Sequence, residues 1–221
     1  MNVRCIVEIA GCELWLLADK ALHWPQQNLL CIADAHFGKA ATYRALGQPV
    51  PAGTTSANLR RLDALLAQYP VQHLVFLGDF LHAPKAHAPA TLAALHAWRQ
   101  HHATLKITLI RGNHDHRAGD PPASLGIDIV NEPLAIGPLR LRHTPSEKSD
   151  GHVIAGHVHP VFTLQGRGRQ ALRLPCFYST KNCTLLPSFG AFTGGYGISP
   201  AVGSRVFVTD GAGVWPVAVR S

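Results

Sequence analysis

No apolar run in this 221-residue chain approaches the roughly 20 residues a bilayer-crossing helix needs, and the first 24 residues scatter Arg4, Glu8, Glu13 and Asp19 among apolar neighbours. Neither a membrane span nor a secretory leader is expected. Charged residues are scarce at 15% and hydrophobic residues reach 47%, which excludes disordered, coiled-coil and collagen-like chains and leaves a compact globule. There is no internal repeat and no low-complexity tract, and Pro and Gly are spread as turn punctuation, so a single domain over residues 1–221 is expected. Cysteine is limited to Cys5, Cys12, Cys31, Cys176 and Cys183, an odd number with no CxxC pair. Most lie in apolar stretches, as reduced core residues of a cytoplasmic protein would.

What the chain does have is positive charge and histidine. The formal net charge is +7, and fourteen of the twenty cations are arginine, the side chain best shaped for bidentate contact with phosphate. An anionic partner is favoured, although the longest cationic run is only Arg60-Arg61 and no basic tail exists. Fourteen histidines make metal ligation the first chemistry to consider.

Apolar runs at 28–33, 74–77 and 105–110 read as buried strands, each ending in polar residues. Between them, Leu59, Leu62, Leu65, Leu66 and Tyr69 have helical spacing after a Thr54-Thr55-Ser56 cap candidate, and Leu92, Leu95 and Trp98 form a second helical face. Beyond Asp120 only short strand-like pieces remain, at 127–130, 139–143, 152–155, 161–164, 170–174, 205–208 and 214–219, with Gly166-Arg167-Gly168-Arg169 as a hairpin tip. The pattern predicts an α/β fold with two mixed sheets face to face and helices outside, its ligands gathered at carboxyl ends of strands.

Those strand ends carry Asp34-Ala35-His36, Gly78-Asp79-Phe80-Leu81-His82, Gly112-Asn113-His114-Asp115, His143, and Gly156-His157-Val158-His159. On an extended strand end, the i, i+2 spacing of Asp34 with His36 and of His157 with His159 would aim both side chains at one ion. Mixed oxygen and nitrogen donors suit Mn²⁺, Fe or Zn²⁺, and seven potential ligands suit two ions sharing a carboxylate. Gly78, Gly112 and Gly156 stand where backbone must pass close to the site.

The series D-x-H, G-D-x-x-H, G-N-H-D, an isolated His and G-H-x-H resembles the signature of the calcineurin-like metallophosphoesterase superfamily. The stretches Ala21-Leu22-His23-Trp24-Pro25, Asp34 to Lys39 with the following helix, Gly119-Asp120-Pro121-Pro122, Leu174-Pro175-Cys176-Phe177 and Leu186-Pro187-Ser188-Phe189-Gly190-Ala191-Phe192-Thr193-Gly194 are similar to its bacterial ligase-associated DNA damage response endonucleases. The resemblance implies a four-layer α-β-β-α sandwich and two divalent transition metal ions, Mn²⁺ first, with Zn²⁺ or Fe as alternatives. It implies Asp34, His36 and His159 on one ion, Asn113, His143 and His157 on the other, and Asp79 as the bridge. His114 would be the catalytic histidine, and by position Asp115 and His82 could orient it. Where most phosphatases of the superfamily carry Asp, often followed by Arg, this chain has His82 and Ala83, which weakens a monoesterase reading.

The implied activity is phosphodiester hydrolysis through a water held between two metals, with DNA as substrate in repair and a functional association with a DNA ligase, a helicase and an exonuclease. Arg140, Arg142, Arg167, Arg169 and Arg173 are candidate phosphate contacts, each equally readable as a solvated surface residue. Lys39 is readable as a residue approaching a phosphate or, more commonly for its position, as a solvated helix-start residue. Phe177, Phe189 and Phe192 are readable as core, and residues 188–197 as a loop beside the site or a glycine-rich turn. A small-molecule phosphodiesterase or nucleotide pyrophosphatase is the alternative enzyme, and a non-catalytic scaffold the alternative of another class.

Overall fold

The computed structural model describes residues 3–50, 53–191 and 193–218. Its first sheet takes seven strands in chain order: β1 (Arg4–Ile9), β2 (Cys12–Leu17), β3 (Ala21–Trp24), β4 (Leu29–Ile32), β5 (His73–Phe76), β6 (Lys106–Ile110) and β7 (Asp128–Val130). Pairing is antiparallel from β1 to β4 and parallel from β4 to β7. The parallel half needs crossovers, which hold α1 (Lys39–Ala45), α2 (Thr54–Gln68), α3 (Pro89–His101) and α4 (Asn113–Ala118).

The second sheet is built from β8 (Leu134–Ile136), β9 (Leu139–Arg142), β10 (His152–Ala155), β11 (Pro160–Gln165), β12 (Ala171–Ser179), β13 (Cys183–Leu185), β14 (Tyr196–Gly197), β15 (Arg205–Thr209) and β16 (Val214–Val217). Its order is β14-β11-β12-β13-β10-β9-β8, with β15 added beside β12 and β16 beside β15. The fold is thus two mixed sheets flanked by few helices, and among the described residues every α-helix precedes Gly119. The predicted hairpin tip joins β11 to β12, which pair antiparallel with Gln165 opposite Ala171.

Burial on both faces explains why β4 and β5 read as unbroken apolar runs rather than alternating ones. Leu30, Ile32, Leu74 and Phe76 join the core that receives Leu59, Leu62 and Leu65 of α2 and Leu95 and Trp98 of α3. Leu29, Cys31, Val75 and Leu77 face the other way, onto Leu141, Ile154, Phe177 and Phe207 of the second sheet. Leu30 and Leu74 have no exposed surface, so truncating either to alanine costs about 2–5 kcal/mol.

One sequence expectation changes. Thr54-Thr55-Ser56 is not a cap: these residues lie inside α2, whose N-cap is Gly53 at φ 84°, and the Thr55 hydroxyl instead accepts a bond from the Gly38 amide. No strand was expected before residue 28; β1 and β2 carry Arg4, Glu8 and Glu13 on exposed positions, β1 being an edge strand with one solvated face, whereas β3 is buried throughout. Val219, at the end of the last expected strand, and Phe192 lie outside the described residues.

Candidate active site

Five strands deliver the predicted ligands to one place. Asp34 and His36 follow β4, Asp79 and His82 follow β5, and Asn113, His114 and Asp115 open α4 just after β6. From the second sheet, His143 directly follows β9, while His157 and His159 lie between β10 and β11. The site therefore sits where carboxyl ends of strands from both sheets meet.

The local geometry differs from the extended strand ends the spacing suggested. Asp34 (φ 54°), His36 (φ 47°), Asp79 (φ 51°), His157 (φ 69°) and His159 (φ 52°) all adopt left-handed backbone. Such conformations cost non-glycine residues on the order of 1–3 kcal/mol each and cluster at functional sites. The glycines leave room for the ligands themselves. A Cβ on Gly78 would stand 2.2 Å from His143 Nδ1, one on Gly112 2.4 Å from Asp79 Oδ1, and one on Gly156 2.8 Å from Asp34 Oδ2.

Three backbone carbonyls set the tautomers. A carbonyl only accepts, so each ring nitrogen bonded to one carries the proton and the opposite nitrogen is free. His143 Nδ1 donates to Leu77 O at 2.9 Å, His159 Nδ1 to Gly194 O at 3.1 Å, and His114 Nδ1 to His82 O at 2.8 Å. Each imidazole presents Nε2 to the centre, the arrangement by which outer-shell groups orient metal-binding histidines.

Around these nitrogens the donors form three overlapping groups. His36, Asp34 and His159 offer ligand atoms within 4.8 Å of one another, as do Asp34, Asp79 and His143, and as do His36, His82 and His114. His143 Nε2 lies 2.9 Å from Asn113 Oδ1, 3.0 Å from His157 Nδ1 and 3.5 Å from Asp79 Oδ1. Asp34 accepts the His157 amide on both oxygens, at 3.1 and 2.9 Å, and Asp79 accepts the His114 amide at 2.9 Å.

His82 serves its neighbours in two ways. Its carbonyl fixes His114, its ring stacks on the His114 ring at 5.1 Å, and its Nδ1 lies 3.4 Å from His36 Nδ1. Asp115, fully buried, accepts the Gly112 amide at 2.9 Å and the Leu81 amide at 3.1 Å, so it braces the turn that carries Asn113 and His114. Burial pushes Asp115 up to about 6 and also raises Asp79, while it lowers His36 and His157 and brings His82 down to about 4. His159 goes the other way: burial opposes its charge, but Asp34 and the Gly194 carbonyl outweigh it.

The segment after β13 was readable only as a neighbouring loop, and it is stitched to the site. Ser188 Oγ donates to Asp34 O at 3.0 Å, and the amides of Phe189 and Gly190 donate to Ala33 O and Asp34 O at 2.8 and 3.0 Å. Arg61 of α2 covers the Phe189 ring and donates to the Phe189 carbonyl. Of the candidate phosphate contacts, Arg140 is paired with Asp150 at 2.8 Å, Arg142 with Glu132 at 2.9 Å, and Arg173 donates to Gly195 O. Arg167 and Arg169 are exposed at the hairpin tip.

The donor set fits metal. His159 Nε2 is buried, has no hydrogen-bond partner among the described residues, and faces Asp34 Oδ1 at 3.5 Å, a buried polar atom in need of one. The two groups that combine carboxylate oxygen with imidazole nitrogen share Asp34, and such mixed donors match divalent first-row transition ions. A cleft of about 240 Å³ lined by Arg111, Asn113, His116, Glu132, His143 and Thr144 opens beside them.

Residues 28–137 match the family of calcineurin-like phosphoesterases, a span that includes Asp34, His36, Asp79, Asn113 and His114 but ends before His143, His157 and His159. The crystal structure of the nuclease MPE of Pseudomonas putida is similar over almost the whole chain. It is 51% identical, with a TM-score of 0.86, and the match covers 97% of this chain and 100% of that one. A search of curated proteins finds no match.

Proposed function

The chain belongs to the calcineurin-like phosphoesterase family, and from that premise we propose that it is a Mn²⁺-dependent phosphodiesterase that cuts DNA internally, as an endonuclease of DNA repair. It is a hydrolase of phosphoester bonds, and the proposal concerns which bond and by what residues. Asp34, His36 and His159 would hold one divalent ion, Asn113, His143 and His157 a second, and Asp79 would bridge. Bound there, two ions supply Lewis acidity and an activated water for in-line displacement at phosphorus.

The observation that carries the diesterase reading is the state of His114. With Nδ1 committed to the His82 carbonyl, Nε2 is free, 3.9 Å from Asp79 Oδ2, on a side chain 31% exposed. A diester's leaving oxygen departs poorly unless protonated; His114 as imidazolium carries a second proton on Nε2, which it would hand to that oxygen as the P–O bond breaks, returning to the neutral ring with Nδ1–H on the His82 carbonyl. His82 and Asp115 act as positioning residues, one through its carbonyl and the other through the Gly112 turn.

Support for DNA over a small nucleotide is of two kinds. Arg167 and Arg169 stand exposed and the chain is cationic. The similar Pseudomonas putida protein is described as a nuclease. The five cysteines are unpaired, which suits the reducing cytoplasm. Work beside a ligase, a helicase and an exonuclease rests on the family resemblance alone.

The test is hydrolysis of a generic phosphodiester and its matching monoester with Mn²⁺, Zn²⁺, Mg²⁺ or no metal, with plasmid nicking in parallel. Diester cleavage and nicking with Mn²⁺ and little monoester turnover are expected. The His114→Ala variant should keep its metal and lose diester turnover by about 100-fold or more. Diester turnover without nicking would move the reading to small nucleotides.

A further inference from the structure

Lys39 is a buried cation that no carboxylate among the described residues meets in a direct ion pair. It opens α1, its amide donates to His36 O at 3.2 Å, and only 9% of its surface is exposed. Among the described residues it forms no ion pair within 4.0 Å, although a charge so deeply buried is normally paired. Its Nζ lies 5.7 Å from the centre of the Tyr43 ring. The Tyr43 ring packs at 5.7 Å on His82, and His82 stacks on His114 and stands edge-on to His36. Lys39 and Tyr43 thus extend the wall of the site that carries the free His114 nitrogen.

The charges that reach Lys39 identify its surroundings. Burial lowers its pKa, and the carboxylates of Asp34 and Asp79 oppose that shift. Its charge in turn is felt by His36 and His82. The two carboxylates are spoken for by the divalent ions the site would hold, which leaves the ammonium for an anion that arrives with the substrate.

We propose that Lys39 is a substrate-binding residue that takes a non-bridging oxygen of the phosphate being cleaved, with the Tyr43 ring as the face its ammonium stands over. The inference rests on the phosphodiesterase reading. The ammonium is a compact point charge with three donors, suited to a tetrahedral oxyanion approached from one side. Its service is charge neutralisation of the substrate, separate from proton delivery by His114.

The experiment compares the Mn²⁺-loaded wild type with Lys39→Met, which keeps the stem and removes the charge, and with Lys39→Gln should the first fail to fold. Bound metal is measured by elemental analysis, inorganic phosphate binding by calorimetry, and KM and kcat on a generic phosphodiester. Metal content equal to wild type, phosphate affinity weaker by about 10- to 100-fold and KM raised by a similar factor are expected. Unchanged phosphate affinity in a metal-replete variant would overturn the assignment. So would loss of metal in proportion to activity, which would make Lys39 a support of the metal ligands. Calorimetry with phosphate still reads Lys39 if the wild type turns over no diester, so failure of the functional reading is distinguishable from failure of this one.

Discussion

Gly78 shows how narrowly single residues constrain the site. Its φ is +79°, and an added Cβ would fall 2.2 Å from Nδ1 and 2.4 Å from Cγ of His143, a ring held from behind by the Leu77 carbonyl. Gly78→Ala therefore combines a left-handed alanine with overpacking, a loss of about 1–3 kcal/mol or more. Because the displaced ring is a proposed ligand, the variant should bind less metal than wild type at equal free Mn²⁺. Elemental analysis and a thermal melt check both, and full metal content with an unchanged melt would contradict the packing argument. The residues that bear chemistry were legible because Asp, Asn and His at turn positions are identifiable by type and order. Their orientation was not, since Leu77, His82 and Gly194 act through backbone carbonyls that every residue possesses.

Among the elements, the strands carrying the candidate ligands were the legible ones. β4, β5 and β6 are buried on both faces and read as apolar runs. β1 and β2 were obscured by solvated charges and β3 by its length of four residues, and the Ser188 to Gly190 backbone clamp on Ala33 and Asp34 has no side-chain signature beyond one serine. The β11–β12 hairpin is the element whose predicted tip has a functional consequence. Arg140 and Arg142 are already engaged by Asp150 and Glu132, so the unspent charge of the second sheet's candidates is concentrated at Arg167 and Arg169. If these contact DNA phosphates, replacing both with alanine should lower the slope of log affinity against log salt by about one to two phosphate equivalents. Fluorescence anisotropy of a labelled duplex at several salt concentrations reads that slope. An identical slope would confine DNA contact to the metal face.

At the scale of the whole molecule, the same burial that makes the sheets continuous makes stability sensitive to alkali. Cys176 has no exposed surface and Cys183 only 3%, and burial pushes their thiols up to about 12 and about 11. An unfolded thiol ionises near pH 8.5, on the order of three units lower. Below about pH 8.5 both states keep these protons and the contribution of each thiol is fully present. Above it the unfolded chain releases protons that the folded chain holds. Unfolding then becomes easier by up to about 1.4 kcal/mol per pH unit for each thiol, until the folded thiol itself titrates. Lys20, brought down to about 8 by burial and by Arg61, contributes in the opposite sense over part of that range. A comparison of variants removes its effect. Cys176→Ala with Cys183→Ala should be less stable than wild type at pH 7.5, because two small packing groups are gone. Its stability should also fall less steeply from pH 8.5 to 10, by about 2–3 kcal/mol per pH unit, and converge on the wild type. Denaturant midpoints measured under reducing conditions across that range decide the matter, since parallel curves would mean that these thiols are not held protonated by the fold.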